Sequence, residues 1–175
     1  MIKSKIKICG IKNIQTLECC IKNKIDFFGM IFYNKSPRNI KIEEALNLID
    51  YIQNKPISSV GVFVNEPINE LKQILKKLKI DYVQLHGEEN SEYIAEIKKD
   101  TSIKVIKNIP IKSSEDFLNT NKYSNVDMFL FDYKPSKDEL PGGNAKTFSW
   151  NLISGIKLDK PWFLSGGINI NNIKE

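Results

Sequence analysis

Apolar and polar positions along the chain switch repeatedly between two periods. Short β-branched or aromatic runs recur: Lys5-Ile-Lys-Ile-Cys9, Phe27-Phe-Gly-Met-Ile-Phe32, Ser59-Val-Gly-Val-Phe-Val64, Tyr82-Val-Gln-Leu-His86, Lys104-Val-Ile-Lys-Asn-Ile109, Met128-Phe-Leu-Phe-Asp132 and Pro161-Trp-Phe-Leu-Ser165. Each has the length and composition of a strand. Between them, apolar residues fall at helical spacing, as with Ile14, Leu17 and Ile21, or Ala45, Leu48, Ile49 and Ile52. Asn13 is placed to cap the first helix, and Pro67 falls in the first turn of another, where its missing N–H costs nothing. Further helices are predicted over Glu88–Asp100, from Ser113 or Ser114 to about Tyr123, over Trp150–Ile156, and from Asn169 onward. Strands alternating with helices predict an α/β protein with a parallel sheet.

Seven such units fit either an open doubly wound sheet or a closed barrel, and the polar residues choose between them. Cys9, Arg38, His86, Asp132 and the Gly166-Gly167 turn all fall at or just beyond the carboxyl ends of different strands. In a barrel those ends converge on one mouth. The reading is therefore a TIM (β/α)8 barrel, one domain over residues 1–175, with seven βα units present. The chain stops at Glu175 where a helix is expected, so the barrel should be C-terminally incomplete, or open between its first and seventh strands with those edges exposed.

Asp132 ends the sixth apolar run, and a loop with two prolines and Gly142-Gly143 follows before Thr147-Phe-Ser-Trp150. Alternation puts Met128, Leu130 and Asp132 on one face, which would stand Asp132 at the mouth of a packed interior under that loop. An equal reading makes Asp132 a cap for the turn. Cys9 shares a face with Lys7, a cation that would favour its thiolate, whereas most free cysteines are small buried hydrophobes.

Bulk properties narrow the class. At 175 residues and 41% hydrophobic the chain can bury one core. Its net charge of +5 comes from scattered lysines, with Arg38 the only arginine, so the excess reads as solvated surface and no nucleic-acid partner is expected. The cysteines, Cys9, Cys19 and Cys20, are odd in number and lack metal-ligand spacing. With no secretory or transmembrane run, they predict a reducing cytoplasm and no membrane association. His86 is the only histidine, which argues against zinc.

Seven segments together carry a resemblance: Lys7-Ile-Cys-Gly-Ile11, Ser36-Pro-Arg38, Gly61-Val-Phe-Val-Asn65, Val83-Gln-Leu-His-Gly87, Leu130-Phe-Asp132, Gly142-Gly143 with Lys146-Thr-Phe-Ser-Trp150, and Leu164-Ser-Gly-Gly-Ile168. On them the chain resembles the phosphoribosylanthranilate isomerase family of tryptophan biosynthesis along nearly its whole length. The resemblance implies conversion of N-(5-phosphoribosyl)anthranilate to 1-(2-carboxyphenylamino)-1-deoxyribulose 5-phosphate by an acid/base Amadori rearrangement. It implies a small phosphosugar substrate, no cofactor, no metal, and a monomer or homodimer. It assigns Asp132 as acid and Cys9 as base, and it places Arg38 at the anthranilate end, where a guanidinium suits a carboxylate. His86, Gly142 and Gly143 are expected to line the substrate site, His86 without a proton-transfer role. Gly166 and Gly167 are expected to offer backbone N–H groups to the phosphate. Two departures stand out. The family's Gly-Gly-Thr-Gly is here Gly142-Gly-Asn-Ala145, and only the strand-seven half of the phosphate site is present. The alternatives are another phosphate-binding barrel isomerase or epimerase, and a non-catalytic phosphosugar-binding remnant.

Overall fold

Seven strands lie parallel and in sequence order in one sheet: β1 Lys7–Cys9, β2 Phe27–Phe32, β3 Ser58–Phe63, β4 Tyr82–Leu85, β5 Lys104–Ile111, β6 Met128–Tyr133 and β7 Trp162–Leu164. The structure is a computed structural model and describes residues 4–136 and 138–174. Four α-helices cross between the early strands: α1 Ile14–Lys22, α2 Ile42–Tyr51, α3 Ile68–Lys77 and α4 Ser91–Lys99.

A parallel strand covered on both faces should be apolar throughout rather than alternating. All six residues of β2 are buried accordingly. Inside the curl of the sheet, Phe27, Ile31, Val60, Val62, Ile106 and Leu130 form one cluster. Outside it, Phe28, Met30, Phe63, Leu85, Val105 and Phe131 pack in a second, larger cluster with helix residues such as Leu17, Leu48, Leu71 and Ile97. Phe27 meets Phe163 of β7 edge-to-face at 5.2 Å and Tyr82 of β4 at 5.4 Å, so distant strands touch across the interior. These contacts show the sheet curling as a barrel rather than lying open. β1 and β7 are its two edges, and Ile6, Ile8 and Trp162 there are about 40–50% exposed.

Three helix expectations need correction. α4 begins at Ser91 rather than Glu88, because Asn90 caps the Tyr93 N–H at 2.9 Å and Glu89 is turned inward by other bonds. The segment after Ser113 is a 3-10 helix, Ser114–Lys122, opened by a Ser113/Asp116 capping box. Trp150–Ile153 is a single 3-10 turn with no fully buried residue, its Trp150, Leu152 and Ile153 only partly buried against the core. Pro67 also stands one place earlier than expected, as the residue preceding α3.

At the amino ends of the strands a carboxylate recurs. Asp26 accepts the Ile6 N–H (2.9 Å), Asp81 accepts the Ser59 N–H and hydroxyl (both 2.7 Å), and Asp127 accepts the Val105 N–H (2.7 Å). Each aspartate stands just before an even-numbered strand and anchors the odd-numbered strand beside it. No helix among the described residues is long and apolar enough to cross a membrane.

Candidate active site

The carboxyl ends of the strands surround a cavity of about 460 Å³. Its walls come from Lys7 and Cys9, Ile31 and Tyr33, Val62 and Val64, Gln84 and His86, and Leu130 and Asp132. Loop residues 140–146 and 165–169 and the Ser36-Pro-Arg38 segment complete it. Cys9, Arg38, His86, Asp132, Gly142, Gly143, Gly166 and Gly167 therefore share one space.

Cys9 is the register partner of Gly29 in β2. A Cβ on Gly29 would come 2.7 Å from the Cys9 Sγ and 3.1 Å from the Lys7 Nζ. The absent side chain leaves the hollow in which thiol and ammonium lie together. Cys9 is half-buried and open to the cavity, unlike the fully packed cysteine its residue type alone suggests.

Arg38 is anchored rather than loose. Its Nη1 donates to the Cys9 carbonyl at 3.0 Å. Its Cδ lies 2.7 Å from where a Gly10 Cβ would stand, and Gly10 has a left-handed backbone (φ 88°) that favours glycine in any case. Only one of the five guanidinium N–H groups is engaged by that carbonyl, and the fork remains at the cavity rim.

Asp132 is 7% exposed. Its Oδ1 accepts the Tyr133 N–H at 2.8 Å, while its Oδ2 stands 3.4 Å from the His86 Nε2. One oxygen is thus taken by the next N–H of its own strand, while the residue lines the mouth of the cavity. The His86 contact is within ion-pair range but lacks hydrogen-bond geometry, and Nε2 has no partner there. The other ring nitrogen lies 2.9 Å from the Gln84 amide nitrogen. With that amide donating to Nδ1, the neutral ring carries its proton on Nε2, facing Asp132. Gln84 Oε1 and Asn108 Oδ1 are also buried without partners.

The loop after β6 roofs the cavity. A Cβ at Gly142 would come 2.6 Å from the His86 Nε2, and one at Gly143 (φ 81°) would come 3.0 Å from the Arg38 Nη2. The loop holds its own shape. Lys146 pairs with Glu139, which also accepts the Ser136 N–H at 2.8 Å, and Asn144 donates to the Leu140 carbonyl at 2.8 Å. The Lys146 ammonium, helped by that N–H, holds the Glu139 carboxyl down at about 2, and Glu139 in turn raises Lys146. Ala145, where the family pattern has glycine, carries a left-handed backbone (φ 53°) that costs an L residue roughly 1–2 kcal/mol.

The Gly166-Gly167 turn packs under the same loop. A Cβ on Gly166 (φ 86°) would come 2.9 Å from the Asp132 Oδ1, and one on Gly167 would overlap the Thr147 methyl. Beyond it, Asn169 starts a single helical turn, with the Ile173 N–H donating to its carbonyl at 3.0 Å. Sequence reading did not single out Tyr133 or Lys146, both of which line the cavity. It also passed over Lys107 and Glu89 behind the wall. Their one signal was a lysine inside an apolar strand. Among the described residues, no three His, Cys, Asp or Glu side chains are grouped as metal ligands.

Known proteins share this arrangement. The profile of the N-(5'-phosphoribosyl)anthranilate (PRA) isomerase family matches residues 6–175. The chain is 40% identical over 171 residues to N-(5'-phosphoribosyl)anthranilate isomerase of Thermoanaerobacter pseudethanolicus, covering 98% of this chain and 80% of the relative. It superposes on the crystal structure of phosphoribosyl anthranilate isomerase from Thermotoga maritima with a TM-score of 0.83 at 30% identity, covering 98% and 81% of the two chains. A PRA isomerase crystallised with reduced 1-(o-carboxyphenylamino)-1-deoxyribulose 5-phosphate superposes with a TM-score of 0.80 at 28% identity, covering 98% and 80%. With a curled parallel sheet, a thiol and a carboxylate at its mouth and these relatives, the chain belongs to the N-(5'-phosphoribosyl)anthranilate isomerase family.

Proposed function

We propose that this chain isomerises N-(5'-phosphoribosyl)anthranilate to 1-(2-carboxyphenylamino)-1-deoxyribulose 5-phosphate, with Asp132 as acid and Cys9 as base. The observation that carries the reading is that Cys9 on β1 and Asp132 on β6 open onto one cavity with Arg38 at its rim. The Asp132 carboxyl gives its proton to the furanose ring oxygen, the C1–O bond breaks, and the anilinic nitrogen supplies the electron pair for a Schiff base. The Cys9 thiolate then removes the C2 proton, and the released pair forms the C1–C2 double bond of an enolamine while the nitrogen becomes neutral. Tautomerisation returns a proton to C1 and leaves the C2 ketone. The Lys7 ammonium beside the sulfur pairs with its charge when the thiol is ionised.

Arg38 binds the anthranilate carboxylate, for which a guanidinium fork is matched. The Gly166-Gly167 turn presents backbone N–H groups to the phosphate, and Gly142 and Gly143 close the roof over the sugar. His86 lines the site without transferring a proton. The reaction proceeds in the cytoplasm, in a single barrel domain acting as a monomer or homodimer, and it needs no cofactor.

Fluorescence-monitored turnover of freshly generated substrate tests the reading. The chain should turn it over, and Cys9→Ala and Asp132→Asn should each lower turnover on the order of 10²- to 10⁴-fold while remaining folded. An inactive parent, or full activity in either variant, would overturn it.

A further inference from the structure

Behind the cavity wall lies a buried ion pair that the reaction scheme leaves unused. Lys107 sits in β5 on the outer side, between Val105 and Ile109, and its side chain and that of Glu89 are 2% and 1% exposed. Apolar residues fill the neighbouring positions, and a buried pair is a poor stabiliser compared with well-packed apolar side chains. Burial pushes the Lys107 ammonium down from its ordinary range, an effect Glu89 opposes. What the pair does supply is geometry.

Lys107 Nζ has three donors and three acceptors: the Gly87 carbonyl at 2.6 Å, the Glu89 Oε2 at 3.0 Å and the Leu85 carbonyl at 3.5 Å. Leu85 and Gly87 are the residues on either side of His86. Glu89 Oε2 also accepts the Gly87 N–H at 3.0 Å, so both polar groups of that residue are held. Glu89 Oε1 reaches the next loop and accepts the Asn65 N–H at 2.8 Å, while the Asn65 side chain accepts the Glu88 N–H at 2.7 Å. Asn65 occupies the space a Gly87 side chain would need. The His86 N–H itself donates to the Phe63 carbonyl at 2.9 Å. The Leu85 carbonyl, the His86 N–H and both polar groups of Gly87 are therefore bonded, and the imidazole between them stands 3.4 Å from Asp132 beneath Gly142.

We infer that the Lys107–Glu89 pair is a positioning device: it clamps the chain on both sides of His86 and so holds the imidazole against Asp132 under the roof loop. The inference rests on Asp132 acting as the acid of the proposed isomerisation. The test compares Lys107→Met with the double variant Lys107→Met/Glu89→Gln, in the full chain. The single variant leaves a buried carboxylate unpaired and should melt early. The double variant removes that charge and should regain much of the lost melting temperature.

Stability and positioning then separate. In the folded double variant kcat should stay down on the order of tenfold or more, with KM changed by less than about twofold, because the bound geometry of the reacting groups is what moved. His86 is the only histidine, so its ring-proton NMR signal is unambiguous, and it should be displaced in both variants. A folded double variant with the parent's kcat and an unmoved His86 signal would overturn the clamp. If the parent itself proves inactive, the isomerase reading fails, and the His86 signal alone decides whether the pair positions the imidazole.

Discussion

The same side chain does opposite work at the two ends of the sheet. At the amino ends, Asp26, Asp81 and Asp127 each accept backbone N–H groups of a neighbouring strand at 2.7–2.9 Å, and Asp127 also takes the Lys98 ammonium at 2.6 Å. At the carboxyl ends, Asp132 takes one backbone N–H on one oxygen and leaves the other facing a cavity and an unpartnered imidazole nitrogen. The amino-end carboxylates bind neighbouring backbone and hold strands together; the Asp132 oxygen that faces the cavity keeps a lone pair or a proton for something else. A barrel allows this division because its loops at one end can vary while the other end is tied down.

The comparison breaks most visibly at the site. Cys9→Ala or Asp132→Asn should lower kcat on the order of 10²- to 10⁴-fold. Thermal unfolding should shift by no more than about 2 °C, since neither change empties the core. A large loss of stability in either variant would mean that the carboxyl-end groups are structural after all.

Asp81→Ala should do the reverse. Ser59 is fully buried and loses the acceptor of its N–H, which costs about 1–3 kcal/mol. Urea titration should show that loss, while kcat per folded molecule stays at the parent value. If turnover falls in step with stability, the two ends of the sheet are not independent.

Arg38→Ala sharpens the contrast within the site. A lost charge-assisted contact of about 1.5–3 kcal/mol predicts KM raised roughly tenfold to a hundredfold with a smaller effect on kcat. Steady-state kinetics would refute this assignment if kcat fell and KM did not move.

The smallest effect concerns the roof. Glu139 is held at about 2 by Lys146, below the ordinary 4.5. A folded-state value below the unfolded one means that the pair's contribution is present above the unfolded value and is lost as pH falls through about 2. NMR titration should therefore find the Glu139 carboxyl still ionised at about pH 4. A Glu139 midpoint near 4.5 would mean that Lys146 does not hold it.

Much of this was legible before folding. Alternation in Met128-Phe-Leu-Phe-Asp132 placed Leu130 and Asp132 on the inner face, where both line the cavity. The spacing of Ala45, Leu48 and Ile49 marked the side of α2 that is buried. Helix starts were read less well. Glu88 and Glu89 looked like a helical first turn, yet Glu89 is 5% exposed and bonded to two loops and a lysine. A charged residue has no local pattern that announces a buried partner, and Lys107 and Glu89 are 18 residues apart. A helix is expected from Ser113 or Ser114, but only Phe117 and Thr120 are buried in Ser114–Lys122, too little to favour a full α-helix.

Local chemistry decided which segments are strands, which residues share a face and which polar groups end each strand, because side-chain period and backbone preference act over a few residues. The curl of the sheet decided the rest. It tied Arg38 to the Cys9 carbonyl, brought His86 against Asp132, and closed Lys107 on Glu89. Those meetings join residues 18 to 46 positions apart, some of them across two or more strands, and they depend on how far the sheet twists and on what its helices bury. No short stretch of sequence encodes that, since it is a sum over packing contacts made by the whole chain at once.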